Sequence, residues 1–310
     1  MYNRRKFLMN SGALALGGLM LTDRAKAFFP QSAYTHPVGL QLFTLFSVMD
    51  KDVPGSLRQV AAAGYQEIES AFSMKGGYYG MKPKEFATLA KNSGLSWQSH
   101  HVLGAPFKMP PGGIKMPGAD TTRRMTSMPP MKTLRDNAQE LVDDAAEGGI
   151  KWLVCATISH GTMDEIKQSI EILSKAGEAC RKAGIGFAYH NHTSEFDKVD
   201  GEIPYHLFLS QVSQDLLKME LDLGWATKAG VNPVELFQKH PGRFPLWHVK
   251  DIDKTTKEPT EIGNGFVDFK PIFDNASTAG MQHFFVEQDG AKNPTSSMVT
   301  DINNLKKILA

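Results

Sequence analysis

From residue 36 onward, short apolar runs and amphipathic stretches take turns along the chain. The runs at 36–42, 65–70, 95–102, 151–157, 185–192, 218–222, 244–251 and 283–287 have the length and β-branched or aromatic content of buried strands. The stretches at 54–63, 83–92, 131–147, 163–182, 204–212, 233–239, 269–278 and 295–309 carry the helical apolar period. Several of them stop at a glycine (Gly64, Gly94, Gly184, Gly280) just before the next strand. This alternation predicts an α/β fold with a parallel sheet, a single (β/α)8 TIM barrel. The pattern fails only between Leu103 and Pro130, a segment rich in Pro, Gly and Met that carries Lys108, Lys115, Arg123 and Arg124. It is too long for an ordinary connection, and after the third strand it would lie over the active face, as a substrate cover or a surface insertion.

Four of the later runs, GFAYHNH (186–192), KMELD (218–222), FPLWHVKD (244–251) and HFFVE (283–287), end in side chains too polar to bury without a chemical role. Strand periodicity puts His190 with His192, Glu220 with Asp222, and His248 with Lys250 on common faces. Asp222, His248 and Glu287 therefore converge at one mouth of a closed barrel. Two carboxylates and an imidazole suit one divalent cation, Mn, Co, Zn or Mg, with positions left for water or substrate oxygens. Lys250 either touches substrate or pairs with Asp222 or Asp251. On the third strand one of His100 and His101 faces the barrel, and periodicity alone does not say which. Trp225, Trp247 and Phe107 are either core or an apolar wall for a substrate, with core packing favoured.

Charge sharpens the picture at the N-terminus. Residues 1–27 hold five basic side chains and one acid, whereas residues 28–310 carry 29 basic and 32 acidic residues. Arg4-Arg5-Lys6-Phe7-Leu8, an apolar core from Ser11 to Leu21 and Ala25-Lys26-Ala27 resemble a twin-arginine (Tat) export leader cut after Ala27. The expected organisation is a leader at 1–27 and a barrel at 28–310, exported or periplasmic, with no stable membrane association after cleavage. A weakly acidic barrel lacks the basic bias of a general nucleic-acid binder. Cys155 and Cys180 lack metal-ligand spacing and read as two buried free thiols rather than a disulfide.

The runs ELDLGW, HVKD, EIGNGFVDFKPIF and FVEQD resemble the xylose isomerase-like TIM-barrel superfamily, which includes sugar phosphate isomerases/epimerases and inosose dehydratase-like proteins and is related to endonuclease IV. The resemblance covers nearly the whole barrel. It implies one divalent metal held by a Glu, Asp, His, Glu set, of which the last three fall on Asp222, His248 and Glu287. The sequence departs from the family at the fifth strand, where the first ligand is Glu195 reaching back from the loop, or His190. Glu195 is preferred, because a carboxylate there also serves as a base. His101, His190, His192 and Lys250 are the expected acid/base and substrate-contacting groups. The implied activity is a sugar or keto-sugar isomerase, epimerase or lyase working through an enediolate, with a small carbohydrate as partner and a homodimer as the assembly. The alternatives are a non-catalytic sugar-binding barrel and an endonuclease IV-like phosphodiesterase, the latter disfavoured by the leader and the acidic barrel.

Overall fold

A computed structural model describes residues 36–106, 114–115, 124–125 and 131–310. The leader, Phe107, Lys108 and Arg123 lie outside the described residues. Eight strands form the wall: β1 (Gly39–Gln41), β2 (Glu67–Ser70), β3 (Ser96–Leu103), β4 (Trp152–Thr157), β5 (Gly186–His190), β6 (Lys218–Asp222), β7 (Leu246–Val249) and β8 (His283–Val286). Each pairs in parallel with its sequence neighbours, and β8 pairs with β1 to close the barrel. The predicted (β/α)8 architecture is what the chain adopts. In the 103–130 segment, Ile114–Lys115 and Arg124–Met125 pair as a small antiparallel ladder.

Helices cover the outside: α1 (Val53–Ala63), α2 (Pro83–Asn92), α3 (Leu134–Gly148), α4 (Met163–Ala183), α5 (Pro204–Gln211), α6 (Leu223–Lys228), α7 (Pro233–Lys239), α8 (Phe269–Asp274) and α9 (Pro294–Ile308). The glycine stops act as expected, with Gly64 and Gly184 taking left-handed backbone at the ends of α1 and α4. Two elements differ from the sequence expectation. The short helix α6 follows β6 directly, because the Asp222 carboxylate accepts from Trp225 N at 2.7 Å and caps it. The seventh strand also stops at Val249, and Asp251–Ile252 peel away to pair with Pro259–Thr260.

Strand periodicity layers the barrel interior. Val154, Ala188, Leu246 and Phe285 form a dry apolar cluster against Trp152. His190, His248 and Glu287 stand two residues further along their strands than Ala188, Leu246 and Phe285, so the polar layer sits directly above the apolar one. Gly39 makes room for this packing, since a Cβ there would collide with the Phe285 ring. Cys155 and Cys180 are free and buried, and burial pushes the Cys180 thiol up to about 12.

Below the rim, α9 is tied to the loop after β7 by Asp301, whose Oδ1 accepts from Ile262 N at 2.7 Å. Asp301 is 1% exposed, and burial raises its carboxyl to about 7, with Glu261 and Asp251 pushing the same way. The fold thus favours the protonated acid, and stability present below about pH 4 is lost as pH rises toward 7. Asp301→Asn keeps an acceptor for Ile262 and removes the titration. We expect stability from urea unfolding to decline less steeply between pH 4 and 7 in the variant than in wild type. Above pH 7 the variant should be more stable by about 2 kcal/mol. Parallel pH profiles would refute this.

Candidate metal and acid/base site

The C-terminal ends of β5 to β8 place four donors together. One ligand atom from each of His190, Asp222, His248 and Glu287 lies within 4.8 Å of the others, and all four residues are buried. His190 closes β5, and Asp222 closes β6, where Asn191 Oδ1 accepts the Asp222 N–H at 3.0 Å and fixes one strand end against the next. The His248 Nδ1 stands 2.7 Å from Glu287 Oε2 and 3.9 Å from Asp222 Oδ2. Lys250 is 1% exposed, with its ammonium 2.8 Å from Asp222, 2.8 Å from Glu287, 2.5 Å from Asp289 and 4.7 Å from the Trp225 ring centroid.

A second layer lies beneath. His101 Nε2 is 2.7 Å from Glu220 Oε2 and 3.0 Å from Glu69 Oε1, and His248 Nε2 is 2.6 Å from Glu69 Oε1. Burial alone would depress His101, but the Glu69 and Glu220 carboxylates raise it to about 9. Glu220 is pushed up to about 7 by burial and by Glu69, whereas Glu69 is held low against burial by His101 and His248. His190 is driven down by burial and by His248 and His101, which keeps its imidazole neutral and able to offer a lone pair. Glu287 is kept ionised by Lys250 and His248 despite its burial.

A model of the family described as "xylose isomerase-like TIM barrel" matches residues 57–308. The chain belongs to that family. An inosose dehydratase from Lacticaseibacillus casei is 26% identical over 156 residues, 44% of this chain and 52% of the relative, so this barrel spans about half the length of the curated relatives it matches. A sugar phosphate isomerase/epimerase from Parabacteroides distasonis is 26% identical, covers 88% of this chain and 97% of its own, and superposes with a TM-score of 0.70. An IOLI protein with a bound zinc atom shares the fold at 12% identity and a TM-score of 0.65, covering 88% of this chain and 98% of its own.

The residues of this xylose isomerase-like barrel fit a divalent ion. Across an ion with bonds of about 2.1 Å, opposite ligands sit about 4.2 Å apart and adjacent ones about 3 Å. The four donor atoms all lie within 4.8 Å of one another, the Lys250 ammonium pairs with the Asp222 and Glu287 carboxylates, and two imidazoles with two carboxylates suit borderline divalent ions.

Of the residues expected from sequence, Asp222, His248 and Glu287 come together in one buried cluster that could hold an ion, and His190 joins them. Glu195 does not join them. Its Oε1 accepts from Tyr189 Oη at 2.9 Å and its Oε2 from His192 N at 3.0 Å, so both oxygens are engaged behind β5. The His192 side chain holds the Glu195 carboxyl at about 2, against burial. His192 itself is 45% exposed at the mouth, beside His190 at 4.9 Å between ring centroids, with Nδ1 3.6 Å from Glu195.

His101 is the inward member of its pair. His100 bonds Ser70 Oγ at 2.8 Å and packs on Tyr78 outside the barrel, where burial lowers it to about 3. Trp247 is core, stacked on Phe237, whereas Trp225 flanks Lys250 at the site. Sequence reasoning missed Glu69 and Glu220 as site residues. The signal that could have found them is their position near a strand end, on the same face as groups that reach the mouth.

Proposed function

We propose that the protein is a divalent-metal-dependent enzyme acting on a sugar or keto-sugar, exported behind its twin-arginine leader. It removes the proton next to a carbonyl and either returns it, giving isomerisation or epimerisation, or expels a β-oxygen. The observation that carries this reading is the convergence of His190, Asp222, His248 and Glu287 on one buried point, beneath a half-exposed histidine. The dehydratase and isomerase/epimerase names of its relatives support the same chemistry.

His190, Asp222, His248 and Glu287 would hold the ion. When bound, the ion supplies Lewis acidity toward the carbonyl oxygen. His192 is placed to move the proton at the neighbouring carbon, because it alone among the site histidines is substantially open to solvent while Glu195 braces its ring. Lys250 offers an ammonium to a leaving or carbonyl oxygen, and the Trp225 ring beside it offers an apolar surface to a sugar face.

The test is NMR of keto-sugars and free aldoses in deuterated water with manganese- or cobalt-loaded protein. We expect solvent deuterium at the carbon next to the carbonyl, or β-elimination. His192→Ala should slow that exchange by about 10²- to 10⁴-fold while keeping its metal. Metal-loaded protein that binds sugars without exchange or elimination would move the barrel to a binding role.

A further inference from the structure

We infer that Glu69 and Glu220 are positioning residues that fix which ring nitrogen of His248 and His190 faces the candidate metal position. The inference deepens the proposed function and rests on its metal reading.

Each imidazole in the four-donor set has one nitrogen within reach of a buried carboxylate outside that set. His248 turns Nδ1 toward Glu287 and Asp222 and sets Nε2 2.6 Å from Glu69 Oε1. His190 sets Nδ1 3.1 Å from Glu220 Oε2. A neutral imidazole has one N–H and one lone pair, and the N–H goes where a carboxylate accepts it. His248 thus lies between two carboxylates, and once a cation engages Asp222 and Glu287, Glu69 is the one left to accept the Nε2–H, so that the Nδ1 lone pair faces the cation. Glu220 likewise selects the Nδ1–H form of His190 and leaves Nε2 free for a cation. Carboxylates behind histidine ligands raise their basicity and lock their orientation, and losing one typically costs roughly 10- to 100-fold in metal affinity.

The carboxylates are themselves held. Gln41 Nε2 donates to Glu69 Oε1 at 2.7 Å, Ser99 Oγ donates to Glu69 Oε2 at 2.5 Å, and His101 Nε2 lies between Glu69 and Glu220. Both are fully buried, and Glu220 Oε1 has no hydrogen-bond partner among the described residues. A barrel that needed only filling here would be more stable with apolar side chains, as its layer of Val154, Ala188, Leu246 and Phe285 already is.

The same strand supplies a control. Two residues before Glu69, Glu67 Oε2 bonds His283 Nδ1 at 2.8 Å, so it is also a carboxylate–imidazole pair, but on a histidine outside the four-donor set. The experiment measures zinc affinity by chelator competition, together with imidazole ¹⁵N shifts of the zinc-loaded protein, for wild type, Glu69→Gln, Glu220→Gln and Glu67→Gln. We expect zinc affinity to fall roughly 10- to 100-fold in the Glu69 and Glu220 variants. The His248 and His190 shifts should move with them, while Glu67→Gln changes neither. Glu69→Asp keeps the charge and should recover part of the affinity. Equal zinc affinity and unmoved shifts in Glu69→Gln, with wild type binding zinc, would overturn this inference alone. Wild type that takes up no zinc would overturn both it and the metal reading beneath it.

Discussion

His248→Ala is expected to abolish divalent-ion binding and to lower keto-sugar turnover by at least about 10³-fold, the scale of losing charge stabilisation together with ordered acid/base groups. His248 is fully buried, and its two nitrogens face opposite ways, Nδ1 to Glu287 and Nε2 to Glu69. Removing the ring takes away one of the four candidate donors. It also leaves Glu69, Glu220 and Glu287 facing one another without the imidazole between them, and uncompensated buried charge costs about 3–5 kcal/mol. A lost metal in an unfolded protein would prove little, so Asp222→Asn is the companion variant. It keeps the shape and a cap acceptor for Trp225 N, yet removes the ligand charge. Elemental analysis should find about one divalent ion per wild-type chain and close to none in either variant, with circular dichroism unchanged in Asp222→Asn. Full metal occupancy in both would mean that the ion, if any, is held elsewhere.

The fold was legible because a barrel writes each βα unit as a short apolar run, a polar strand end and an amphipathic stretch, and the chain repeats that signature eight times. The mouth was legible for the same reason, since Asp222, His248 and Glu287 lie near the ends of three successive runs. What stayed hidden was depth. Glu69 in the run YQEIES alternates with Ile68 as any half-exposed strand residue does, and periodicity separates two faces without saying that the polar one is the barrel interior. Only closure of β8 on β1 brings Glu69 of the second strand against His248 of the seventh.

The choice between Glu195 and His190 turned on a loop. A carboxylate three residues past a strand end is within reach of the mouth, but Tyr189, pointing out of β5, offers its hydroxyl to Glu195 and the His192 N–H takes the other oxygen. With both oxygens engaged, the neutral His190 is the group left in the donor set. Asp222 divides its oxygens, because one caps α6 while the other faces Lys250.

Asp251→Ala should be among the most destabilising single changes in the barrel, costing about 4–6 kcal/mol while leaving metal stoichiometry intact below the melting transition. The aspartate that ends HVKD sits beside Lys250 but serves the glycine-rich loop instead. Its Oδ1 accepts from Ile252 N at 2.9 Å and Val267 N at 3.1 Å, and its Oδ2 from Gly263 N and Gly265 N, both at 2.9 Å. Gly265 has to be glycine, since a Cβ there would collide with the same carboxylate. Hydrogen bonds to a charged acceptor contribute about 1.5–3 kcal/mol each, and each stranded buried N–H costs about 1–3 kcal/mol, partly recovered as the loop relaxes toward water. For a domain of this size the melting temperature should fall by roughly 10–20 °C. Asp251→Asn is no rescue, because its amide keeps an oxygen for one pair of N–H groups and turns a donor toward the other. Paired thermal melts decide the matter. A drop of less than about 3 °C in Asp251→Ala would mean that the loop is carried by its contact with Asp301 instead, which the double variant with Asp301→Ala would then reveal as a loss larger than the sum of the two.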